Sequence, residues 1–201
     1  MPPQYSFRNG VIACVGIFSV IGILAFSSFN LGVLLALGSF GSTSVLLFAF
    51  PENHFSQPRS IIGGHFICSA VGMLALYLFG QTWWALALAV AVATAIMMLT
   101  RTVHPPAGSN PIIVFFAMPQ WSFLFFPTLF GAITMVLVGL IYHRSCRRPY
   151  PLYWLGTRKM QPESRLMEVM AQTTDLENQA PIAQVNEAEP TSIKASGANM
   201  P

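Results

Sequence analysis

Four apolar stretches follow one another along the first 142 residues of the chain, at residues 10–29, 61–79, 83–100 and 121–142. None of them contains Asp, Glu, Lys or Arg. A helix satisfies its own backbone hydrogen bonds, and about 20 apolar residues carry it across the hydrocarbon core of a bilayer. The pattern therefore predicts an all-α membrane protein with four transmembrane helices, for which the lipid bilayer is the first partner.

Two further apolar stretches, residues 31–50 and 104–118, contain residues that disfavour a regular spanning helix. The first includes the run Gly38-Ser39-Phe40-Gly41-Ser42-Thr43-Ser44. The second is short for a crossing and opens with His104-Pro105-Pro106-Ala107-Gly108-Ser109-Asn110-Pro111. Irregular backbone at membrane depth is tolerated only inside protein or beside water. We therefore expect two broken or re-entrant helical segments that enter from the same side.

The two interrupted stretches resemble each other at a fixed spacing. With an ungapped offset of 67 residues, six identities fall between residues 41 and 74 and their counterparts, and three of these are glycines. So biased a composition produces several identities by chance, which leaves an internal duplication open. If the duplication is real, each half is a helix, a broken hairpin and a helix, an arrangement that transporters place around a site at the membrane midplane.

Positive charge is concentrated in the membrane part of the chain. Residues 1–160 carry eight Lys or Arg and one acid, Glu52, for a formal charge of +7, whereas residues 161–201 carry −4. Five of the basic residues follow the last apolar stretch, which predicts a cytoplasmic location for that side. With four crossings the N-terminus is also cytoplasmic, and loops 51–60 and 101–104 face outward. If residues 31–50 instead span fully, the N-terminus lies outside. This distribution indicates basic loops at a membrane surface and no nucleic-acid interface.

Composition divides the chain into a cytoplasmic N-terminus (1–9), a transmembrane domain (10–142), a basic juxtamembrane segment (143–160) and a tail (161–201). In the tail, residues 162–172 favour a short amphipathic helix on the membrane, and the remainder has the composition of a disordered segment. The absence of a transit-peptide pattern favours the inner membrane of a bacterium. A homo-oligomer stays open, because a core of this size often needs partners to enclose a pathway.

The strongest candidate site is the run between residues 101 and 110. Ionisable groups at membrane depth are costly and are expected to face protein or water. The prolines end the preceding helix, Gly108 permits a tight turn, and Ser109 or Asn110 is suited to cap the next helix, whose free amides attract an anion. The candidate binding residues are Arg101, His104, Pro105, Pro106, Gly108, Ser109 and Asn110. In the alternative interpretation, Arg101 extends to the interface and His104 bonds a carbonyl in a turn.

A second candidate region runs from Gly38 to Ser44, with Gly38, Ser39, Gly41 and Ser42 as its candidate binding residues and the intramembrane His65 as a separate candidate. Hydroxyls and exposed backbone in this region are suited to line the opposite wall of a pathway. The alternative is a small-residue face that packs helices together. His65 is a functional candidate because ionisable residues inside membranes are rare, although a histidine near a helix start can also make a merely local bond.

The sequence contains no recognisable enzyme motif. A nucleophile elbow, a P-loop, paired carboxylates and HExxH are all missing, and residues 1–160 contain a single acid for acid–base chemistry. The three cysteines, Cys14, Cys68 and Cys146, form no metal-binding or disulfide pattern. We therefore expect neither an enzyme, nor a metal site, nor a cofactor.

Several motifs in order resemble the HPP family of integral membrane proteins. The resemblance rests on Leu99-Thr100-Arg101-Thr102-Val103-His104-Pro105-Pro106-Ala107-Gly108, on Gly38 to Val45, on Phe50-Pro51-Glu52 and on Gln57 to His65, and it covers residues 10–142. It implies four transmembrane helices. Characterised members from plastids and cyanobacteria are linked to nitrite transport, which the resemblance extends to this chain as an expectation. Some relatives carry C-terminal regulatory CBS domains, whereas this chain ends in a short tail.

The leading hypothesis is a channel or secondary transporter for a small monovalent anion, with nitrite as the favoured substrate and Arg101 steering it. Proton coupling through His104 or His65 is a further expectation, because a histidine side chain gains and loses a proton near physiological pH. A membrane scaffold or sensor acting through the tail is a second hypothesis. A transporter for a neutral solute is a third, since the single acid in residues 1–160 argues against a cation path.

Overall fold

The computed structural model describes residues 6–31 and 37–153. The expectations for residues 1–5, for the juxtamembrane residues 154–160 and for the tail at 161–201, including its amphipathic helix and disorder, lie outside the described residues. The described part is helical and contains no strand. The all-α prediction is therefore confirmed for it.

Six α-helices make up the bundle: α1 (Phe7–Leu31), α2 (Gly38–Ala49), α3 (Pro58–Phe79), α4 (Trp83–Leu99), α5 (Asn110–Ala117) and α6 (Phe130–Ser145). A 3₁₀ turn at Pro105–Ser109 leads directly into α5, and turns at Trp121–Leu124 and Phe125–Leu129 lead into α6. By length and hydropathy, three helical segments are long enough to cross a membrane: Phe7–Asn30, Pro58–Phe79 and Trp121–Ser145. The predicted span at 83–100 is α4, a shorter apolar helix of 17 residues.

Local sequence explains where the helices begin and end. Proline occupies the first turn of α3 and of α5, where its missing N–H costs no helical hydrogen bond. Four helices are followed by a residue with a positive φ, and at Met118 the backbone has the left-handed conformation common after a helix C-terminus. These residues are Gly80 (68°), Arg101 (55°), Met118 (44°) and Arg147 (54°).

The helices run alternately between two ends of the bundle. We call the end where α6 finishes the near end and the opposite end the far end. At the near end, the Tyr142 hydroxyl donates to the carbonyl of Ile12 (2.7 Å) and an Arg59 N–H donates to the carbonyl of Thr100 (2.6 Å). At the far end, the Gln81 amide donates to the carbonyl of Phe115 (2.8 Å). The starts of α1 and α3 and the finishes of α4 and α6 thus share one end.

The re-entrant prediction for residues 104–118 is wrong. His104 lies at the near-end side, where its ring contacts the Phe55 carbonyl, whereas Phe115 is bonded to Gln81 at the far end. The 3₁₀ turn and α5 together therefore run from one end of the bundle to the other and do not return. The prolines produce a tighter first turn, whose larger rise per residue helps a short segment to cover the distance.

The prediction for residues 31–50 is also corrected where the structure describes them. The run from Gly38 to Ser44 is not broken, because it forms the first part of the continuous helix α2. Its last turn reaches the near end, where an Arg148 N–H donates to the carbonyl of Phe48 (3.2 Å). Glycine and serine lower the intrinsic helix propensity of this run, but the packing of α2 on α1 and α6 compensates for the loss.

The predicted arrangement of the loops is consequently wrong. The Tyr150 hydroxyl donates to the carbonyl of Ser56 (2.9 Å), and the backbone N–H of Leu152 donates to Oε1 of the buried Gln57 (2.9 Å). Loop 50–57 and the segment after α6 therefore lie at the same end, whereas four crossings would separate them. Burial raises the pKa of the Tyr150 phenol, which keeps it in the protonated form that donates this bond.

Glycines bring two pairs of helices into close contact. A Cβ added at Gly72 of α3 would lie 2.8 Å from the Cα of Pro111, in the first turn of α5. A Cβ added at Gly139 of α6 would lie 2.9 Å from a methyl carbon of Leu47 in α2. Close backbone approach of this kind is typical of helix contacts in membranes, where lipid gives no hydrophobic drive for association. The two contacts place α5 and α2 firmly against the two longer helices.

Candidate functional site

A cluster of four buried polar side chains lies inside the bundle, and we call it the histidine cluster: Thr43, His65, His104 and Asn110. Thr43 is contributed by α2, His65 by α3 and Asn110 by α5, while His104 precedes the 3₁₀ turn that leads into α5. All four side chains have an exposed fraction of 0%. Buried polar groups are costly without partners, so their hydrogen bonds determine what the cluster can do.

The Thr43 hydroxyl joins the two histidines. Its Oγ1 lies 2.9 Å from Nε2 of His65 and 2.8 Å from Nε2 of His104. The other ring nitrogen of His104, Nδ1, lies 2.7 Å from the carbonyl oxygen of Phe55. The Asn110 amide nitrogen lies 3.1 Å from Nδ1 of His65. A continuous hydrogen-bonded chain therefore runs from the near-end loop, through both rings, to α5.

The chain of polar groups continues deeper into the bundle. The Asn110 amide also donates to the Ser69 hydroxyl (2.9 Å), which lies 3.4 Å from the Thr128 hydroxyl. Two buried polar atoms of this region have no hydrogen-bond partner, the Asn110 Oδ1 and the Ser39 Oγ. Unpartnered buried polar atoms are uncommon in folded proteins, and they mark places where water or a polar ligand would find a partner.

The surroundings hold the rings in place. The ring of Phe40 meets the ring of His65 edge-on, with centroids 4.9 Å apart. The two histidine rings are 5.1 Å apart at an interplanar angle of 59°. On the other side, a Cβ at Gly64 would lie 2.7 Å from the Cβ of His104, so α3 approaches this residue too closely for any larger side chain. The rings are fixed by packing as well as by hydrogen bonds.

The environment is free of buried charge. Across residues 6–31 and 37–153, every buried polar side chain is Ser, Thr, Asn, Gln or His. Within the same residues, no group of three or more His, Cys, Asp or Glu side chains is arranged to hold a metal ion. Cys68 lies one turn along α3 from His65, and its buried Sγ lies 3.5 Å from the sulfur of Met97 on α4.

The structure brings some of the predicted site residues together and leaves others apart. His65, His104 and Asn110 belong to the histidine cluster, and the Ser39 carbonyl oxygen lies 3.0 Å from the Thr43 hydroxyl oxygen. Arg101 is exposed at the near end and is not part of the cluster. The others flank the cluster or lie on the outer face of α2, exposed or half-buried: Gly38, Gly41, Ser42, Pro105, Pro106, Gly108 and Ser109.

The predicted cradle of free amides is not found. Pro105 and Pro106 have no N–H, the Ala107 N–H donates to the carbonyl of His104 (2.9 Å), and the Asn110 N–H donates to the carbonyl of Ala107. The predicted caps are also absent, since Ser109 bonds the Pro106 carbonyl (2.8 Å) and the Asn110 side chain reaches His65 and Ser69 instead. The reason is that the 3₁₀ turn continues into α5 and uses the amides that a free helix start would offer.

Thr43, Ser69 and Thr128 were not named as candidate binding residues, although Thr43 lies inside the candidate region Gly38 to Ser44. A helical spacing of four would have found the first two, because Ser39 with Thr43 and His65 with Ser69 lie on the same helix faces. Thr128 precedes α6 in an irregular turn and has no such signal in the sequence.

Comparison with known proteins fits this architecture. A family model described as "HPP, transmembrane region" matches residues 2–151. The chain belongs to the HPP family of transmembrane proteins. The resemblance found in the sequence motifs is thereby confirmed, and the cluster residue His104 is the histidine of the His-Pro-Pro motif.

Two transmembrane proteins of Dictyostelium discoideum are similar to this HPP protein. One is 35% identical over 151 residues, which are 68% of this chain and 49% of the relative. The other is 36% identical over 127 residues, which are 59% of this chain and 45% of the relative. The chain thus spans about half the length of these relatives. No solved structure matches the sequence.

Proposed function

We propose that this HPP protein is a channel or secondary transporter for a small monovalent anion, with nitrite as the favoured substrate. The observation that carries the proposal is the histidine cluster, a hydrogen-bonded polar path through the inside of an otherwise apolar bundle. Ionisable residues and polar networks inside membrane proteins are expensive and mark pathways for ions or protons. Nitrite as the substrate rests on the family resemblance.

A pseudo-symmetry of the fold supports the transport role. At the offset of 67, α2 corresponds to the 3₁₀ turn with α5, and α3 corresponds to residues 125–146, which include α6. The close contacts are reciprocal, because Gly72 meets Val114 and the equivalent Gly139 meets Leu47. Equivalent helices run in opposite directions between the two ends. We therefore interpret the chain as two inverted halves of three helices each, a construction that secondary transporters use.

The histidine cluster lies where these halves meet. Thr43 and Asn110 are equivalent positions at the offset of 67, and they bond the two ring nitrogens of His65 from opposite sides. The side chain of His65 is thus contacted by equivalent residues from both halves. In inverted-repeat transporters, the substrate site lies at the repeat interface and the halves rock around it. This arrangement favours alternating access over a static pore.

The chemistry of the cluster suits an anion better than a cation. Its hydroxyl, amide and imidazole groups all supply N–H or O–H donors, and no carboxylate is buried among residues 6–31 and 37–153. Glu52, which falls within these ranges, is exposed. Cation paths usually recruit carboxylates. Arg101 at the near end would contribute attraction to an approaching anion and no direct binding.

Nitrite uptake into proteoliposomes tests the proposal. The purified full chain should accelerate uptake above the rate of protein-free vesicles, at a pH above 7 that keeps membrane-permeant nitrous acid scarce. The matched control is His54→Gln, because His54 is exposed and lies outside the histidine cluster. Uptake that His104→Gln abolishes and His54→Gln preserves supports the proposal. A wild type that carries no nitrite but does carry a neutral solute would contradict nitrite as the substrate and favour the neutral solute.

A scaffold role through the tail predicts a different outcome. Deleting residues 161–201 should leave nitrite uptake unchanged if transport is the function.

We keep the bacterial inner membrane as the proposed location, although both relatives come from Dictyostelium discoideum.

A further inference from the structure

We propose that Thr43 and His104 form a one-proton switch, in which a proton added to Nε2 of His104 turns the Thr43 hydroxyl from His104 to the Ser39 carbonyl. The inference rests on the hydrogen-bond geometry of the histidine cluster. Its link to transport rests in addition on the proposed function, and it would make the proton the coupling ion.

The first step fixes where His104 carries its proton. Nδ1 of His104 lies 2.7 Å from the Phe55 carbonyl oxygen, which can only accept. Nδ1 must therefore carry hydrogen and donate. In the neutral ring, Nε2 then has a lone pair, and the atom 2.8 Å from it, Oγ1 of Thr43, must donate its hydroxyl hydrogen to it.

The same logic fixes His65. The Asn110 amide nitrogen lies 2.9 Å from the Ser69 hydroxyl and 3.3 Å from the carbonyl oxygen of His65, so a reversed amide would place two oxygens against each other. The NH₂ group therefore faces Nδ1 of His65, which must accept. His65 carries its hydrogen on Nε2 and donates it to Thr43. The two neutral histidines are opposite tautomers, and all bonds point from Asn110 to Phe55.

A second complete hydrogen-bond arrangement exists with one more proton. Oγ1 of Thr43 has three neighbours, Nε2 of each histidine and the Ser39 carbonyl at 3.0 Å. If a proton from solvent water bonds to the Nε2 lone pair of His104, the ring becomes an imidazolium and donates to Oγ1. The hydroxyl then rotates to donate to Ser39 while still accepting from His65. No other bond breaks, and all three contacts of the hydroxyl are used.

A further proton is disfavoured at the other ring. Protonation of Nδ1 in His65 would place its N–H against the NH₂ group of Asn110, at 3.1 Å. Reversing that amide would turn its oxygen toward the His65 carbonyl. The cluster therefore takes one proton, on His104, and the resulting positive charge lies beside a path suited to an anion.

Few other titratable groups face the switch. On α3, Arg59 lies at the near end on the Thr100 carbonyl, and Cys68 faces Met97 on α4. Arg101 and the neighbouring loop residue His54 are exposed. The residues contributed by α2, α5 and the turn before α6 are Ser39, Thr43, Asn110 and Thr128, which do not titrate. The charge state of the switch is thus decided mainly by the two rings.

Nitrogen-15 NMR of histidine-labelled full chain in nanodiscs tests the switch without any transport. The chain has four histidines, and His54→Gln and His143→Gln assign the two outside the cluster. At high pH we expect an Nδ1–H tautomer for His104 and an Nε2–H tautomer for His65. On acidification His104 should gain a second N–H, and the Nε2–H signal of His65 should shift with it. An Nε2–H tautomer for His104, or a second proton on His65 instead, would overturn the inference.

Two substitutions at Thr43 isolate the hydroxyl. Thr43→Ser keeps it and should keep the joint response of the two rings, whereas Thr43→Val has nearly the same shape without it and should leave the His65 signal unchanged when His104 titrates. A Val variant that retains the joint response contradicts the switch. If the Val variant folds poorly, the tautomers of the two rings and their joint response in Thr43→Ser still test the switch.

A flux experiment separates the switch from the proposed function. Proteoliposomes with an internal pH dye receive an inward nitrite gradient at a pH above 7. The wild type and Thr43→Ser should acidify the interior faster than protein-free vesicles, whereas Thr43→Val should match the protein-free vesicles. Nitrite uptake without acidification in the wild type overturns the coupling role. A wild type that moves no nitrite but shows the expected NMR behaviour supports the switch and refutes the proposed function.

Discussion

The contact between α3 and α5 and the contact between α6 and α2 are built alike but carry different chemistry. Each brings a glycine of the longer helix against the shorter one, Gly72 in the first and Gly139 in the second. Beside the first glycine, α3 also buries His65 and Ser69. The positions at the offset of 67 in α6 are Ala132 and Val136, both buried and apolar.

The difference shows that close helix packing does not require the polar residues. The α6–α2 contact reaches similar closeness with alanine and valine at the equivalent positions, and its buried histidine, His143, bonds only the Leu47 carbonyl and joins no polar cluster. Burying His65, Ser69 and Asn110 costs free energy, which their mutual hydrogen bonds only partly return. A connected cluster of buried polar side chains at the α3–α5 contact is therefore better explained by a function than by stability. Substitutions that treat the two contacts separately test this interpretation.

The largest effect is expected from the histidines. His65→Gln and His104→Gln each remove hydrogen bonds on both sides of a buried ring, at about 1–1.5 kcal/mol per bond, so nitrite uptake should fall roughly 100-fold. The matched control is His143→Gln in α6, whose buried ring bonds the Leu47 carbonyl (2.9 Å) outside the cluster. It should lower the unfolding temperature while uptake per folded protein is retained. Equal loss of uptake in all three variants would remove the distinction between the two contacts.

The glycines should separate the contacts by stability. Gly72→Ala places a methyl group against the backbone of Pro111, whereas Gly139→Ala meets the movable side chain of Leu47. Overpacking costs about 1–3 kcal/mol, and we expect Gly72→Ala near the upper limit and Gly139→Ala near the lower. Thermal unfolding in detergent measures both. Gly22→Ala is the control, since a Cβ there has no neighbour within 4 Å. A Gly139→Ala variant less stable than Gly72→Ala would reverse the ranking.

The near-end loop supports the polar contact through Phe55, and Tyr150 holds that loop. Tyr150→Phe removes the hydrogen bond to Ser56 and should cost about 1 kcal/mol of unfolding free energy. The measurement is again thermal unfolding. Tyr77→Phe, at an exposed far-end position, should cost almost nothing. If both variants unfold at the wild-type temperature, the loop is held by other contacts.

Arg101 should produce the smallest effect. It is exposed and lies outside the histidine cluster, so Arg101→Ala should lower nitrite uptake only about two- to threefold through lost attraction at the near end. Added salt should shrink the difference, because screening acts over about 10 Å at 0.1 M ionic strength. Arg101→Lys keeps the charge and should match the wild type. A 100-fold loss in Arg101→Ala would instead assign Arg101 a direct role in binding.

The sequence predicted the helical membrane character, and it singled out His65, His104 and Asn110, which the structure brings together, because apolar length and isolated polar residues are local signals. It did not predict how residues 31–50 and 104–118 cross the bundle. Proline and glycine in these stretches indicated broken backbone, yet packing kept Gly38 to Ser44 helical and a 3₁₀ turn absorbed Pro105 and Pro106. Propensity is a weak guide where neighbouring helices decide the conformation.

The hydrogen bonds between Thr43 and both histidines could not be predicted from the sequence, for a different reason. Thr43 is 22 residues from His65 and 61 from His104, so the contacts depend on the way three separate helices approach. Arg101 was placed in the candidate site because it precedes the helix start that was expected to attract an anion, whereas in the structure it is exposed and lies outside the histidine cluster. Its left-handed backbone after α4 and its exposure depend on the helix end, which the sequence does not specify.

The buried thiol of Cys68 offers a native reporter of motion. It is sealed between α3 and α4 against Met97, one turn from His65, while Cys14 is exposed and Cys146 is half-buried. With serine at those two positions, a maleimide probe can react only when α3 and α4 part. The rate of labelling, compared with and without nitrite, would then register breathing of the bundle beside His65 without any engineered cysteine.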